Sequence, residues 1–305
     1  MIRRLIFAAL ATASIPAILG VPVAPAAVAA PNKVTQMGHI SIEAVGKGPA
    51  VILIPGLACP RAVWSDFVAD LARSHTVYLV QVNGFAGDDP RDNLTPGVLD
   101  GTVAELHAYI VEHKLKGAAV VGHSMGGLVS LMLAEAHPDD MGRLMIVDSL
   151  PYFGVLMAPP GTDVTVDMIE PNAAKMRDGI AATYGQPADP ARVEAQTAGL
   201  ALKPESRVRM REWAAKADPR VTALAMYEDL TTDLRPELAA IRVPVTLVYP
   251  WNDAAGPSKA MADPFYRRQY AAMPQVKFVD IGDAAHMVML DQPDAFRAAL
   301  TAFLN

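Results

Sequence analysis

The stretch "VVGHSMGGLVSL", residues 120–131, sets one hydroxyl, Ser124, between Gly122 and Gly126, with an apolar run on each side. The run before it suits a buried strand and the run after it has helical spacing, so the serine falls on a strand-to-helix turn. Such a turn leaves no room for side chains at Gly122 and Gly126, and the helix that follows points free N–H groups toward the hydroxyl. G-x-S-x-G in that setting is the pattern of a nucleophilic serine. A serine attacks a carbonyl only with a base in reach and a further group to orient the base.

Seven histidines compete for the role of base. His39 and His75 belong to edge or surface segments, His107 and His113 to a helix, and His137 precedes Pro138 at a helix end. His123 adjoins the serine, and its side chain is expected to point away from the hydroxyl. His286, in "VDIGDAAHMVML", lies after the last strand pattern and before the last helix. Parallel strands deliver their C-terminal loops to one edge of a sheet, which brings this loop and the Ser124 turn together. Asp253, in "VYPWNDAAGPS", follows the preceding strand on the same edge and is the preferred acid, with Asp148 and Asp283 as alternatives. The oxyanion formed in acyl transfer needs amide donors, supplied by Met125 after the nucleophile and Leu57 on the loop after "VILIPG". Cys59 lies nearby without a basic neighbour and reads as a small pocket-lining residue.

The elements that must position these residues recur from about residue 38. Apolar or alternating runs at 39–46, 50–56, 76–82, 117–123, 143–149, 243–250 and 276–282 alternate with helical patterns, the signature of an α/β fold with a mostly parallel sheet. The first of these, "HISIEAVG", reads as an edge strand, and "PFYRRQYAAM" as a helix opening at Pro264. Between Ser149 and Val243 the rhythm breaks into helical patterns without a strand. That interval is too long for a connection and reads as an inserted helical cap.

Of the 305 residues 52% are hydrophobic, enough for one large core with an insertion. The net charge of −6, with scattered Lys and Arg, speaks against a nucleic-acid partner. Arg3 and Arg4, an apolar run to about Leu19 and the small residues Ala27 and Ala29 resemble a secretory signal cut near Ala29. Pro16, Gly20, Pro22 and Pro25 interrupt that run, so the expectation is an exported periplasmic or secreted chain with no stable membrane anchor after cleavage. The boundaries are then 1–29 for the signal, 30–149 and 243–305 for the sheet domain, and 150–242 for the cap. A single cysteine excludes an internal disulfide. No feature of the sequence sets an oligomeric state.

Taken together, Gly56 with Leu57, the Gly122-His123-Ser124-Met125-Gly126-Gly127 turn, Asp253, and His286 with its trailing "DQPDAF" resemble the α/β-hydrolase superfamily, of the capped single-domain kind. The resemblance covers about residue 38 to Asn305. It implies an eight-stranded, mostly parallel sheet with helices on both faces, a serine triad, and neither cofactor nor metal. Two segments depart from many relatives: Pro55-Gly56 stands where His-Gly is common, and "QVNGFAGDDP" replaces a D-x-x-G-x-G-x-S-like loop. The expected activity is hydrolysis of a small or medium, mostly apolar carboxylic ester, a small-molecule partner. Lactone, thioester or amide cleavage are alternatives, an aminopeptidase using Asp163, Asp167, Glu170 or Glu194 to pair an amine among them, as is a lyase or cofactor-free oxygenase on the same fold. Methionines such as Met157, Met168, Met176, Met287 and Met289 read mostly as core filling, and "SRVRMRE" as a solvated helix face.

Overall fold

The computed structural model describes residues 33–159, 161–187 and 189–305, so the expected signal segment lies outside the described residues. The strands are β1 (Lys33–Gln36), β2 (Ile40–Gly46), β3 (Ala50–Ile54), β4 (Thr76–Val82), β5 (Ala118–His123), β6 (Met141–Val147), β7 (Val245–Trp251) and β8 (Lys277–Gly282). They form one sheet of eight strands in the order β1-β2-β4-β3-β5-β6-β7-β8. Only β1–β2 and β2–β4 pair antiparallel; β4 through β8 run parallel.

Continuous apolar runs fit strands covered on both faces, because successive side chains point to opposite sides. Ile52, Ile54, Val120, Ile146 and Leu247 join one apolar cluster with residues of α2 (Val98–Glu112), α3 (Met125–Ala136) and α8 (Lys259–Gln269). Their neighbours Val51, Leu53, Val121, Met145 and Val248 join a second cluster with α1 (Ser65–Leu71) and α10 (Pro293–Leu304). Helix α9 (Val288–Asp291) connects the last strand's loop to α10. Met287 and Met289 are fully buried as core residues, whereas Met168 and Met176 are exposed.

Two local expectations are corrected. The edge is β1, outside "HISIEAVG"; its four residues KVTQ are mostly exposed and carry no apolar alternation to detect. Helix α8 begins at Lys259, with Pro264 inside it rather than at its start. Proline fits a first helical turn, which is why it reads as a beginning.

Between β6 and β7 the described residues hold four α-helices and no strand: α4 (Val166–Ala181), α5 (Pro190–Thr197), α6 (Pro204–Lys216) and α7 (Pro219–Thr231). Helix α7 is fastened to the sheet domain at both ends. The Asp218 amide donates to the Gly84 carbonyl at 2.7 Å. The Glu228 carboxylate accepts the amides of Gly97, Val98 and Leu99 at 2.6, 3.2 and 2.8 Å, an anionic cap on the N-terminus of α2. Val221 and Ala225, one turn apart, pack into the cluster that holds Met125, Leu150 and Phe153.

One position further along that face, Asp229 is buried and its Oδ1 has no hydrogen-bond partner among the described residues. Burial pushes its carboxyl up to about 8 from an ordinary carboxylate value of 3.8. Between those values the folded chain keeps a proton that the unfolded chain has released, so this group lowers stability as pH rises through that window. Asp229→Asn should therefore raise the melting temperature, more at pH 8 than at pH 5. Identical pH slopes of Tm for the variant and the parent would contradict this.

Candidate active site

Strand register places the ends of β5, β6 and β7 side by side: His123 is opposite Val147, and Val147 opposite Val248. Ser124 follows β5 directly with φ 55° and ψ −126°, a conformation that β-carbon-bearing residues rarely adopt. Its amide donates to Val147 O at 3.0 Å, and its carbonyl accepts the amides of Gly127 and Leu128. The strained turn is thus held on both sides. A β-carbon on Gly126 would sit 2.5 Å from the carbonyl oxygens of Ile54 and Pro55, so the turn rests directly on the end of β3. On Gly56 it would lie 2.9 Å from Ser124 Cβ, and so the loop after β3 presses against Ser124.

His286 arrives on the loop after β8, its ring tilted against that of His123 at 4.5 Å. Nδ1 of His286 lies 2.7 Å from Asp148 Oδ2. A carboxylate only accepts, so Nδ1–H donates and the Nε2 lone pair of the neutral ring is left free to take a proton. Ser124 Oγ makes no hydrogen bond among the described residues; contacts of this kind are commonly loose without substrate and tighten when it binds.

The acid is where the sequence expectation fails. Asp253 is exposed and forms no hydrogen bond with His286. Asn252 explains why: its Oδ1 accepts the amides of Ala254 and Ala255, and its carbonyl accepts that of Gly256. The loop after β7 curls on itself and leaves Asp253 in solvent. Asp148, the first residue past β6, takes a positive φ of 43° while its amide donates to Val248 O at 2.8 Å, which turns the carboxylate toward His286. Asp283, the other alternative, is exposed and accepts from Asn252.

Tyr266 on α8, a residue the sequence reading missed, donates its hydroxyl to Asp148 Oδ1. Burial alone would raise Asp148, but the hydrogen bond and charge of His286 and the Tyr266 hydroxyl outweigh it and hold the carboxyl below its usual range. Burial, then the adjacent carboxylate, keep Tyr266 protonated far above the normal phenol range. Nothing in the sequence marks it, because a tyrosine in an amphipathic helix reads as packing.

His123 does not simply point away. Its buried Nε2 lies 3.0 Å from the His286 carbonyl, so the ring donates there and braces the His286 backbone. Burial first, and the neighbouring imidazole second, push it down to about 3, which keeps it neutral. On the other side, the fully buried Asp291 accepts the Ala285 amide at 3.0 Å together with those of Leu202 and Lys203. Met287 N donates to Leu200 O at 2.9 Å. The loop bearing His286 is therefore tied to the segment between α5 and α6.

The two amides expected as oxyanion donors are both without a backbone acceptor among the described residues. Met125 is the first residue of α3, so its N–H has no intrahelical acceptor, and the Leu57 amide has no backbone acceptor among the described residues. Burial pushes the Cys59 thiol up to about 12, which leaves it unreactive. The arginines of "SRVRMRE" are engaged: Arg209 pairs with Asp66 and Arg211 with Glu194, rather than with the nearby Glu205 and Glu212.

Residues 51–299 match the Alpha/beta hydrolase family, and the chain belongs to it. A pimeloyl-[acyl-carrier protein] methyl ester esterase of Aeromonas hydrophila is 28% identical over 87% of this chain and 99% of its own length. The polyketide synthase ThaQ of Burkholderia thailandensis is 28% identical over 85% of this chain, which spans only 12% of that much longer protein. Among solved structures, the enol-lactonase of Burkholderia xenovorans LB400 shares the fold with a TM-score of 0.68 at 21% identity, covering 87% of this chain and 96% of its own.

The geometry separates the two aspartates. Labelling of Ser124 by a fluorophosphonate, followed by intact mass, should slow by about four orders of magnitude in Asp148→Asn. Asp253→Asn should label at the parent rate, and the reverse ranking would return the acid to Asp253.

Proposed function

We propose that the protein is a serine hydrolase that cleaves a small or medium, mostly apolar carboxylic ester through an acyl-enzyme on Ser124. The observation that carries this reading is the 2.7 Å bond from His286 to Asp148, with the His286 ring packed at 4.5 Å on that of His123, the residue before the strained Ser124 turn. His286 Nε2 takes the serine proton, Oγ attacks the carbonyl, and the amides of Leu57 and Met125 hold the oxyanion. His286 then returns the proton to the leaving alcohol, and a water activated by the same nitrogen releases the acid. Asp148 keeps the ring in the required tautomer and stabilises the imidazolium formed in each half.

The apolar preference is supported by the apolar cluster that holds Met125, the residue after Ser124. Met125, Leu150, Phe153, Val221 and Ala225 share one apolar cluster, with Leu57 and Val155 packed against it. In this reading residues 150–242 form the cap over the site, and the tie from His286's loop to the α5–α6 segment seats that cap. Two of the carboxylates that an aminopeptidase could use are occupied: Glu170 accepts from Tyr227, and Glu194 pairs with Arg211. The methyl ester esterase relative and the lactonase with the same fold are consistent with ester or cyclic-ester chemistry. With the N-terminal pattern read as a signal, the enzyme works after export.

A panel of p-nitrophenyl esters of graded chain length, lactones and aminoacyl anilides tests the proposal. Esters should turn over, anilides should not, and Ser124→Ala should lower kcat by about three orders of magnitude or more with the fold intact. Ester turnover retained by Ser124→Ala would overturn the mechanism, and preferential anilide cleavage would overturn the substrate class.

A further inference from the structure

A second cluster of chemistry-bearing side chains lies at the far end of α3 from Ser124. His107 on α2, His137 just past the end of α3, and Asp140 on the turn into β6 each bring a donor atom within 4.8 Å of the other two. Asp140 is 1% exposed, and among the described residues its carboxylate pairs with no Lys or Arg. Its partner is His107 Nδ1 at 2.8 Å. Because the carboxylate accepts, Nδ1–H donates, and the Nε2 lone pair of His107 is turned outward. The His137 ring stacks on that of His107 at 3.5 Å and 9°, and its nitrogens make no hydrogen bond among the described residues. The buried carboxylate thus has one imidazole as its partner, beside a second, partly exposed imidazole. This is the arrangement in which a carboxylate orients and strengthens a histidine ligand.

We propose that His107, His137 and Asp140 form a binding site for a first-row divalent transition ion of the Zn²⁺ or Cu²⁺ class. Two imidazole nitrogens, one of them on a ring that a carboxylate orients, suit such borderline ions, whereas Ca²⁺ and Mg²⁺ select sets of oxygen ligands. Lone pairs of two parallel rings do not converge on one point, so capture turns the His137 ring out of the stack. That movement breaks only the stack, since the ring has no hydrogen bond to lose. The 12 residues of α3 span about 18 Å at 1.5 Å per residue, which separates the ion from Ser124. Its effect is to tie α2, the end of α3 and the entry to β6 together, which stabilises the folded chain without entering the chemistry.

Calorimetric titration of the full chain with ZnCl₂, alongside thermal melting, tests the site. One ion per chain should bind saturably and raise Tm, while MgCl₂ does neither. His137→Ala, a change that removes no hydrogen bond, should weaken Zn²⁺ binding by roughly ten- to a hundredfold and abolish the Tm rise. His107→Gln, which retains a donor for Asp140, should act in the same direction, with ester turnover unchanged in both variants. Absence of saturable Zn²⁺ uptake, or an isotherm unchanged in both variants, would overturn the proposal, whatever the outcome of the ester panel.

Discussion

The bond from His286 Nδ1 to Asp148 is the constraint on which the rest of the site depends. It selects the tautomer, aims Nε2 outward, and does so only because three separately delivered elements meet. Asp148 must leave β6 with a positive φ, the loop after β8 must return to the middle of the sheet, and Tyr266 must hold the second carboxylate oxygen. The low dielectric of the surroundings strengthens each of these bonds and makes each costly to leave unmade. Partial assembly would leave a buried carboxylate without compensation, so the group is built as a unit.

Around that bond, backbone is fixed more firmly than side chain. The His286 carbonyl is held by the His123 ring, and the Ala285 amide by Asp291, which also gathers the amides of Leu202 and Lys203. The helical insertion is thereby coupled to the His286 loop at one end, and through Glu228 to the N-terminus of α2 at the other. On the opposite side, the strained turn of Ser124 is carried by the sheet itself, through Val147 O and the close seat against β3.

Much of this is legible in the residues, and the exceptions have physical reasons. Ser124 is readable because the glycines around it answer to a steric requirement that reports itself in sequence. The central strands show as apolar runs because both sheet faces are covered there, while β1 is hidden because its side chains are mostly exposed. The position of His286 follows from parallel topology alone. The acid does not: the ends of β6 and β7 both offer an aspartate to the same edge, and the choice between them is made by Asn252 curling one loop and by Tyr266 on α8 receiving the other. Those contacts join residues far apart in the chain and leave no periodic trace. Asp291 and His123 are similar cases, each lying within a segment the sequence singles out yet acting through hydrogen bonds that only the fold creates.

The most direct test of the central interaction is ¹⁵N NMR of the full chain labelled at histidine, which reads the protonation of each ring nitrogen. At a pH where the His286 ring is neutral, Nδ1 should carry the proton and Nε2 should show the shift of an unprotonated nitrogen, with the Nδ1–H signal lost in Asp148→Asn. A neutral His286 protonated at Nε2 would contradict the account, because that ring could not accept the Ser124 proton.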